Sequence, residues 1–133
     1  MRIHHPGVSL VAFILVALAG CGGKSSTVCK INSITVSPAT ATVNHAAAPP
    51  GNTQQFAAFI ASEPSGCAFI LSNLPNATWS VSDPINVSIA NPPDPAFGTA
   101  TCKAATAGPV TVTATVPAGD GANVTNTASL TCN

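Results

Sequence analysis

Apolar and polar residues alternate along the second half of the chain. From Val110 to Val116 the odd-and-even split is complete: Val110, Val112, Ala114 and Val116 share one face, and Thr111, Thr113 and Thr115 share the other. Successive side chains of an extended strand point to opposite faces, so this is the pattern of a half-buried strand. The same period predicts strands over Ile31–Ser37 (Ile34 and Val36 in), Ala41–Val43 and Thr53–Ala61 (Phe56, Ala58 and Ile60 on one side, Phe59 on the other). Further strands are predicted over Ala77–Ser82 (Trp79 and Val81 in), Val87–Ala90, Thr99–Ala104 (Ala100, Cys102 and Ala104 on one face) and Val124–Cys132 (Ala128, Leu130 and Cys132 on one face). Turn signals separate them: Pro38, Pro49-Pro50-Gly51, Asp83-Pro84, Asn91-Pro92-Pro93-Asp94-Pro95, Gly108-Pro109 and Ala118-Gly119-Asp120-Gly121. Proline has no N–H to give a ladder, so these stretches interrupt pairing. Seven or eight short strands, with no helical period among them, predict an all-β sandwich over residues 31–133.

The first twenty residues follow a different rule. Arg2, His4 and His5 open the chain, and Val8–Ala19 is an apolar run of about twelve residues broken only by Ser9. Roughly twenty apolar residues are needed for a helix to span a bilayer. A basic start, a short apolar run and a small-residue exit describe a secretory signal. Its last residues, Leu18-Ala19-Gly20-Cys21, resemble the lipobox of bacterial lipoproteins. That resemblance implies cleavage before Cys21, a diacylglycerol on the Cys21 sulfur and acylation of the new amino group. Stable membrane attachment needs two or more chains, and such a lipoprotein meets that condition. Gly22, rather than Asp, follows the cysteine, which in these families resembles the outer-membrane-sorted class. Residues 1–20 are therefore expected to be the signal. Residues 21–30 are expected to form the lipidated cysteine and a Gly/Ser-rich tether, of which 22–27 reach roughly 20–25 Å when extended.

Composition narrows the function classes. After removal of the signal, the charged side chains are Lys24, Lys30, Lys103, Glu63, Asp83, Asp94 and Asp120. Without a basic patch, nucleic-acid binding has no electrostatic basis. Solubility falls to Thr, Ser and Asn, which suits strands with hydroxyl-bearing outer faces. The chain has five cysteines; with Cys21 assigned to the lipid, Cys29, Cys67, Cys102 and Cys132 form an even set in an exported protein. Two disulfides are expected, with three pairings open. No two of these cysteines have the C-x-x-C spacing of a redox or zinc site.

A second resemblance covers about residues 31–132. Ser33-Ile34-Thr35-Val36-Ser37-Pro38, Asn52-Thr53-Gln54-Gln55-Phe56, Ala77-Thr78-Trp79-Ser80-Val81-Ser82-Asp83-Pro84 and Ala107-Gly108-Pro109-Val110-Thr111-Val112-Thr113-Ala114 resemble the successive blocks of bacterial immunoglobulin-like domains of the second group. The loop before Trp79 is longer than usual in that family, and the cysteines are not part of its pattern. In such a sandwich successive strands run up and down. The start of the first strand, after Cys29, then lies at the same pole as the end of the second, before Cys67. Cys102 and Cys132 share inward parity on strands of opposite sheets. Cys29–Cys67 and Cys102–Cys132 are the pairings this favours.

Residues with chemical potential are scattered. His45 stands in a polar loop without triad or metal partners. Glu63, Asp83, Asp94 and Asp120 fall in turns, where acidic residues serve the backbone. Asp120-Gly121-Ala122-Asn123 lacks the ligand series of a calcium loop. Trp79 could stack on a sugar, but its parity with Val81 turns it inward. Asn76-Ala77-Thr78, Asn86-Val87-Ser88 and Asn123-Val124-Thr125 match the glycosylation pattern and are read as coincidence in an Asn/Thr-rich chain. The expectation is a non-enzymatic protein of the bacterial cell envelope, lipid-anchored in the outer membrane, with no cofactor, metal, nucleic-acid partner or small-molecule ligand. Its work would be structural or adhesive, through contact with another envelope or surface protein. Phe69, Ile70 and Leu71, apolar within a long loop, are the candidate contact surface. The alternative is a module that binds cell-wall or surface glycan.

Overall fold

The computed structural model describes residues 29–62 and 73–133. Nine strands are formed within them: β1 (Ile34–Ser37), β2 (Thr40–Val43), β3 (Thr53–Gln55), β4 (Ala57–Ile60), β5 (Thr78–Val81), β6 (Val87–Ile89), β7 (Thr99–Cys102), β8 (Val110–Pro117) and β9 (Asn123–Cys132). No helix occurs among the described residues. One layer is a four-stranded sheet in the order β2-β9-β8-β5, with β2 parallel to β9 and the other neighbours antiparallel. The second layer is built from the pair β1-β4 and the triplet β3-β7-β6. The architecture is an immunoglobulin-like β-sandwich.

The sequence pattern expects one strand over Thr53–Ala61, and the structure divides it at Phe56. The residues before Phe56 pair with β7 (Gln55 opposite Thr99), and those after it pair with β1 (Ala57 opposite Ser37). The Phe56 N–H still reaches the Gly98 carbonyl at 2.9 Å, so the chain runs on through the layer while its partner changes. Counted as one run, β3 and β4 bring the nine strands to eight. The first strand region divides likewise. β1 lies against β4, and after the cis Ser37–Pro38 bond β2 has crossed to β9 in the opposite layer.

Between the layers lies an apolar core. Phe56, Ile34, Leu130, Val87, Val112, Val116, Cys102 and Cys132 are the largest fully buried side chains, and no polar or charged residue is buried among the described residues. Full burial of a side chain such as Phe56 or Leu130 stabilises by about 1.5–3 kcal/mol. Small residues make room for large ones: Trp79 on β5 stands opposite Ala114 on β8. The inward parity of Ala128, Leu130 and Cys132 is as the alternation predicts. Cys102 on β7 and Cys132 on β9 form a disulfide between the layers, with a Cα–Cα distance of 5.8 Å.

Candidate functional site

The strand directions define two poles. At the first, the chain enters: the Ile31 N–H donates to Ala118 O at 3.0 Å, and Lys30 Nζ lies 2.7 Å from Asp120 Oδ2 in the β8–β9 hairpin. At the second, β9 ends: Asn133 N–H donates to Val43 O at 2.9 Å, and His45 donates to Asn133 O through both its N–H, at 2.9 Å, and Nδ1. β9 spans ten residues between them, about 30 Å of extended chain. The Cys102–Cys132 bond sits at the second pole. Cys29, at the first, is also disulfide-bonded. Cys67 lies outside the described residues, and so does the expected Cys29–Cys67 pairing. The same holds for Cys21, the expected lipidation site, for Glu63 and for the candidate surface Phe69, Ile70 and Leu71.

The β5–β6 turn belongs to the second pole. Ser82 N–H donates to Thr111 O, near the start of β8, and Lys103 N–H donates to Asn86 O beside Cys102. Ile85 forms the tip of this turn at 81% exposure, the large hydrophobic side chain that the described residues leave in solvent. Three hydrogen bonds brace the turn. Asp83 Oδ1 accepts from Asn86 N–H at 3.2 Å, Asp83 Oδ2 accepts from Asn86 Nδ2 at 2.8 Å, and Lys103 Nζ donates to Pro84 O at 2.8 Å. The Asn86 side-chain bond is the first cause that holds the Asp83 carboxyl below the usual carboxylate range. Asp120 is lowered too, first by its hydrogen bond from Lys30. An apolar tip on a braced turn loses little conformational freedom when it docks, which favours contact over mobility. The sequence reading passes over Ile85, because one apolar residue after Asp-Pro carries no periodic signal.

The outer face of the four-stranded sheet is the other broad surface. Thr78, Thr115 and Thr125 lie in register across three strands, as do Ser80, Thr113 and Thr127. These side chains offer hydroxyls and methyls without charge. Such a face can form short-range hydrogen bonds but cannot steer a charged ligand from a distance.

The remaining candidates stay apart. Trp79 is 4% exposed, so its ring is a core element rather than a sugar platform; its Nε1 is buried without a hydrogen-bond partner among the described residues. His45 closes the β2–β9 end. Asp83 and Asp120 brace separate turns at opposite poles, and Asp94 accepts from Ala96 N–H in a third. No three His, Cys, Asp or Glu side chains among the described residues come together as a metal site would need. Of the glycosylation-pattern asparagines, Asn76 and Asn123 are exposed, whereas Asn86 is engaged by Asp83. Among the described residues no helix is long and apolar enough to cross a membrane.

Sequence comparisons add no relative: no protein-family model matches the chain, and no curated protein shows a significant match to it.

Proposed function

We propose that the protein is a non-enzymatic, lipid-anchored component of the bacterial cell envelope, attached in the outer membrane through Cys21, whose immunoglobulin-like domain makes a structural or adhesive contact with another envelope protein. The observation that carries this reading is the polarity of the sandwich. The chain enters at the pole of Lys30 and Asp120, a short tether after Cys21, and the exposed Ile85 stands on a braced turn at the opposite pole. An anchor at one end and an apolar contact at the other suit a domain that holds a partner away from a surface. Phe69, Ile70 and Leu71 stay as a second patch for the same contact.

The test uses the exported chain, oxidised, against isolated envelope fractions. Saturable binding that is lost on protease treatment of the fraction, and weakened at least tenfold by Ile85→Asp with an unchanged melting curve, is the expected result. Binding that survives protease but is lost on glycan digestion would replace this reading with a glycan-binding module, for which the hydroxyl face is the natural surface. For the anchor, Cys21→Ala should move the protein from the membrane to the soluble fraction.

A further inference from the structure

Every outward position of β8 from Thr111 to Thr115, and of β9 from Thr125 to Thr131, carries a hydroxyl. The register sets them in rows: Thr111 beside Ser129, Thr113 beside Thr127 and Thr115 beside Thr125. β5 continues two of these rows with Ser80 and Thr78, and β2 continues the third with Thr40. All are exposed or half-buried. Thr111 turns its N–H and C=O to Ser82, on the side away from β9. The three β8–β9 rows are therefore of the non-hydrogen-bonded kind, with Cα atoms about 4.5 Å apart. Along each strand, side chains on one face recur about every 6.4–6.8 Å. The result is a two-dimensional net of hydroxyl groups, most of them beside a methyl.

A net recognises a ligand that is itself periodic, and three features select among such ligands. The rows carry no charge, so an ionic polymer has no counter-charge to meet. They carry no aromatic ring either, so a sugar chain has no stacking platform. Thr78 donates its hydroxyl to Thr115 O at 3.3 Å. The hydroxyls of Thr113, Thr125, Thr127 and Ser129 have no protein partner among the described residues and are left to water. Methyl groups restrict the orientations of the water they touch, and hydroxyls hold that water by hydrogen bonds. Charged side chains would instead gather water in radial shells that no lattice continues. The prism face of hexagonal ice repeats on a net of closely similar dimensions. Adjacent strands are rotated by roughly 20–25°, so the flat part of the net is the pair of long central strands. The outer face of the second layer differs: Gln55 and Phe59 stand among its hydroxyls.

We propose that the outer face of β8 and β9 binds ice, with Thr111, Thr113, Thr115, Thr125, Thr127 and Ser129 holding a layer of water in lattice positions. Adsorbed chains would stop the crystal from advancing between them. The surface is separate from the Ile85 turn, and the proposal does not depend on a protein contact there.

Ice recrystallisation tests it on the oxidised exported chain. In a frozen sucrose film held just below melting, micromolar protein should keep the grains small. A fluorescently labelled chain should also be taken up by a growing ice hemisphere. Thr127→Lys and, separately, Thr125→Lys place a cation in the exposed centre of the net. Each should raise the concentration needed for inhibition at least tenfold, with an unchanged melting curve. Thr35→Lys, exposed on β1 in the other layer, should leave it unchanged. Grain growth equal to that in serum albumin, or exclusion of the labelled chain from ice, would overturn the proposal. So would an equal loss in Thr35→Lys and Thr127→Lys. No envelope fraction enters these measurements, so their failure is separable from a failure to find a partner.

Discussion

Asn91 holds Trp79 by both of its backbone groups. Its Oδ1 accepts the Trp79 N–H at 2.5 Å, and its Nδ2 donates to the Trp79 carbonyl at 2.9 Å. Trp79 lies on β5, the edge strand of the four-stranded sheet, and Asn91 follows β6 in the other layer. One primary amide thus takes the place of the next strand. An open edge invites pairing with another chain, and natural sandwiches block it. Asn73 does the same on β4, where its Oδ1 accepts from Ala58 N–H at 2.9 Å while Leu74 N–H donates to Ala58 O at 2.9 Å.

Replacing Asn91 should therefore have two effects. Asn91→Ala leaves a part-buried N–H and C=O unpaired, and each unmet group costs about 1–3 kcal/mol. Denaturant unfolding should show a loss of about 2–4 kcal/mol. Sedimentation should show concentration-dependent self-association through the opened β5 edge. Asn91→Asp keeps an acceptor and loses the donor, so it should fall between. A monomeric Asn91→Ala protein of native stability would refute the role given to this amide.

The layer-crossing disulfide should carry measurable stability. For a loop of 30 residues, the chain-entropy estimate is about 3.5 kcal/mol. Cys102→Ala/Cys132→Ala should melt on the order of 15 °C lower than the oxidised protein. It should still fold, because both positions stay apolar. Coincident melting curves would show that burial alone holds the two layers together.

Gly98 and Gly121 separate two reasons for glycine. Both have positive φ, 81° and 87°. A Cβ on Gly98 would lie 2.4 Å from Phe56 O and 3.3 Å from Trp79 Cε2, whereas one on Gly121 meets nothing within 4 Å. Gly121→Ala should cost only the backbone term, about 1–2 kcal/mol. Gly98→Ala must also displace the β3–β4 backbone against the core, and it should leave little folded protein at 37 °C. Comparable stabilities for the two variants, read by thermal melting, would contradict this.

Acid should weaken the fold late and slightly. Asp83 and Asp120 both titrate below the usual carboxylate range in the folded chain, by the Asn86 and Lys30 hydrogen bonds respectively. A lowered folded pKa contributes stability that is present above the unfolded value and is lost as pH falls through the folded one. Melting temperature should be flat from neutral pH to about 5 and decline only below about 4. Both groups are solvent-exposed, so the decline is small. Asp83→Asn with Asp120→Asn should flatten it; a decline already between pH 7 and 5 would point to other groups.

Much of the sandwich is legible in the linear pattern, for a local reason. A strand buried on one face must alternate, so Val110–Val116 and Ala128-x-Leu130-x-Cys132 declare their inward side without reference to any partner. Cys102 and Cys132 share that inward parity, which is why their pairing across the layers could be anticipated once two opposed sheets were assumed. The compartment reading from Leu18-Ala19-Gly20-Cys21 is likewise a property of the linear chain. What surrounds a strand is not local. Nothing in Thr53–Ala61 marks Phe56 as the point where β7 gives way to β1, because that depends on where Gly98 and Ser37 arrive from elsewhere. Asn73 and Asn91 stand among turn residues and Asn126 shares the parity of Ala128, and only the folded chain brings their amides to backbone groups 12 to 92 positions away. Ile85 gains its meaning from the pole it occupies. Alternation thus determined the strands and their inward faces, because burial acts on each side chain separately. The tertiary structure decided partners, edges and poles, because these exist only when distant segments meet.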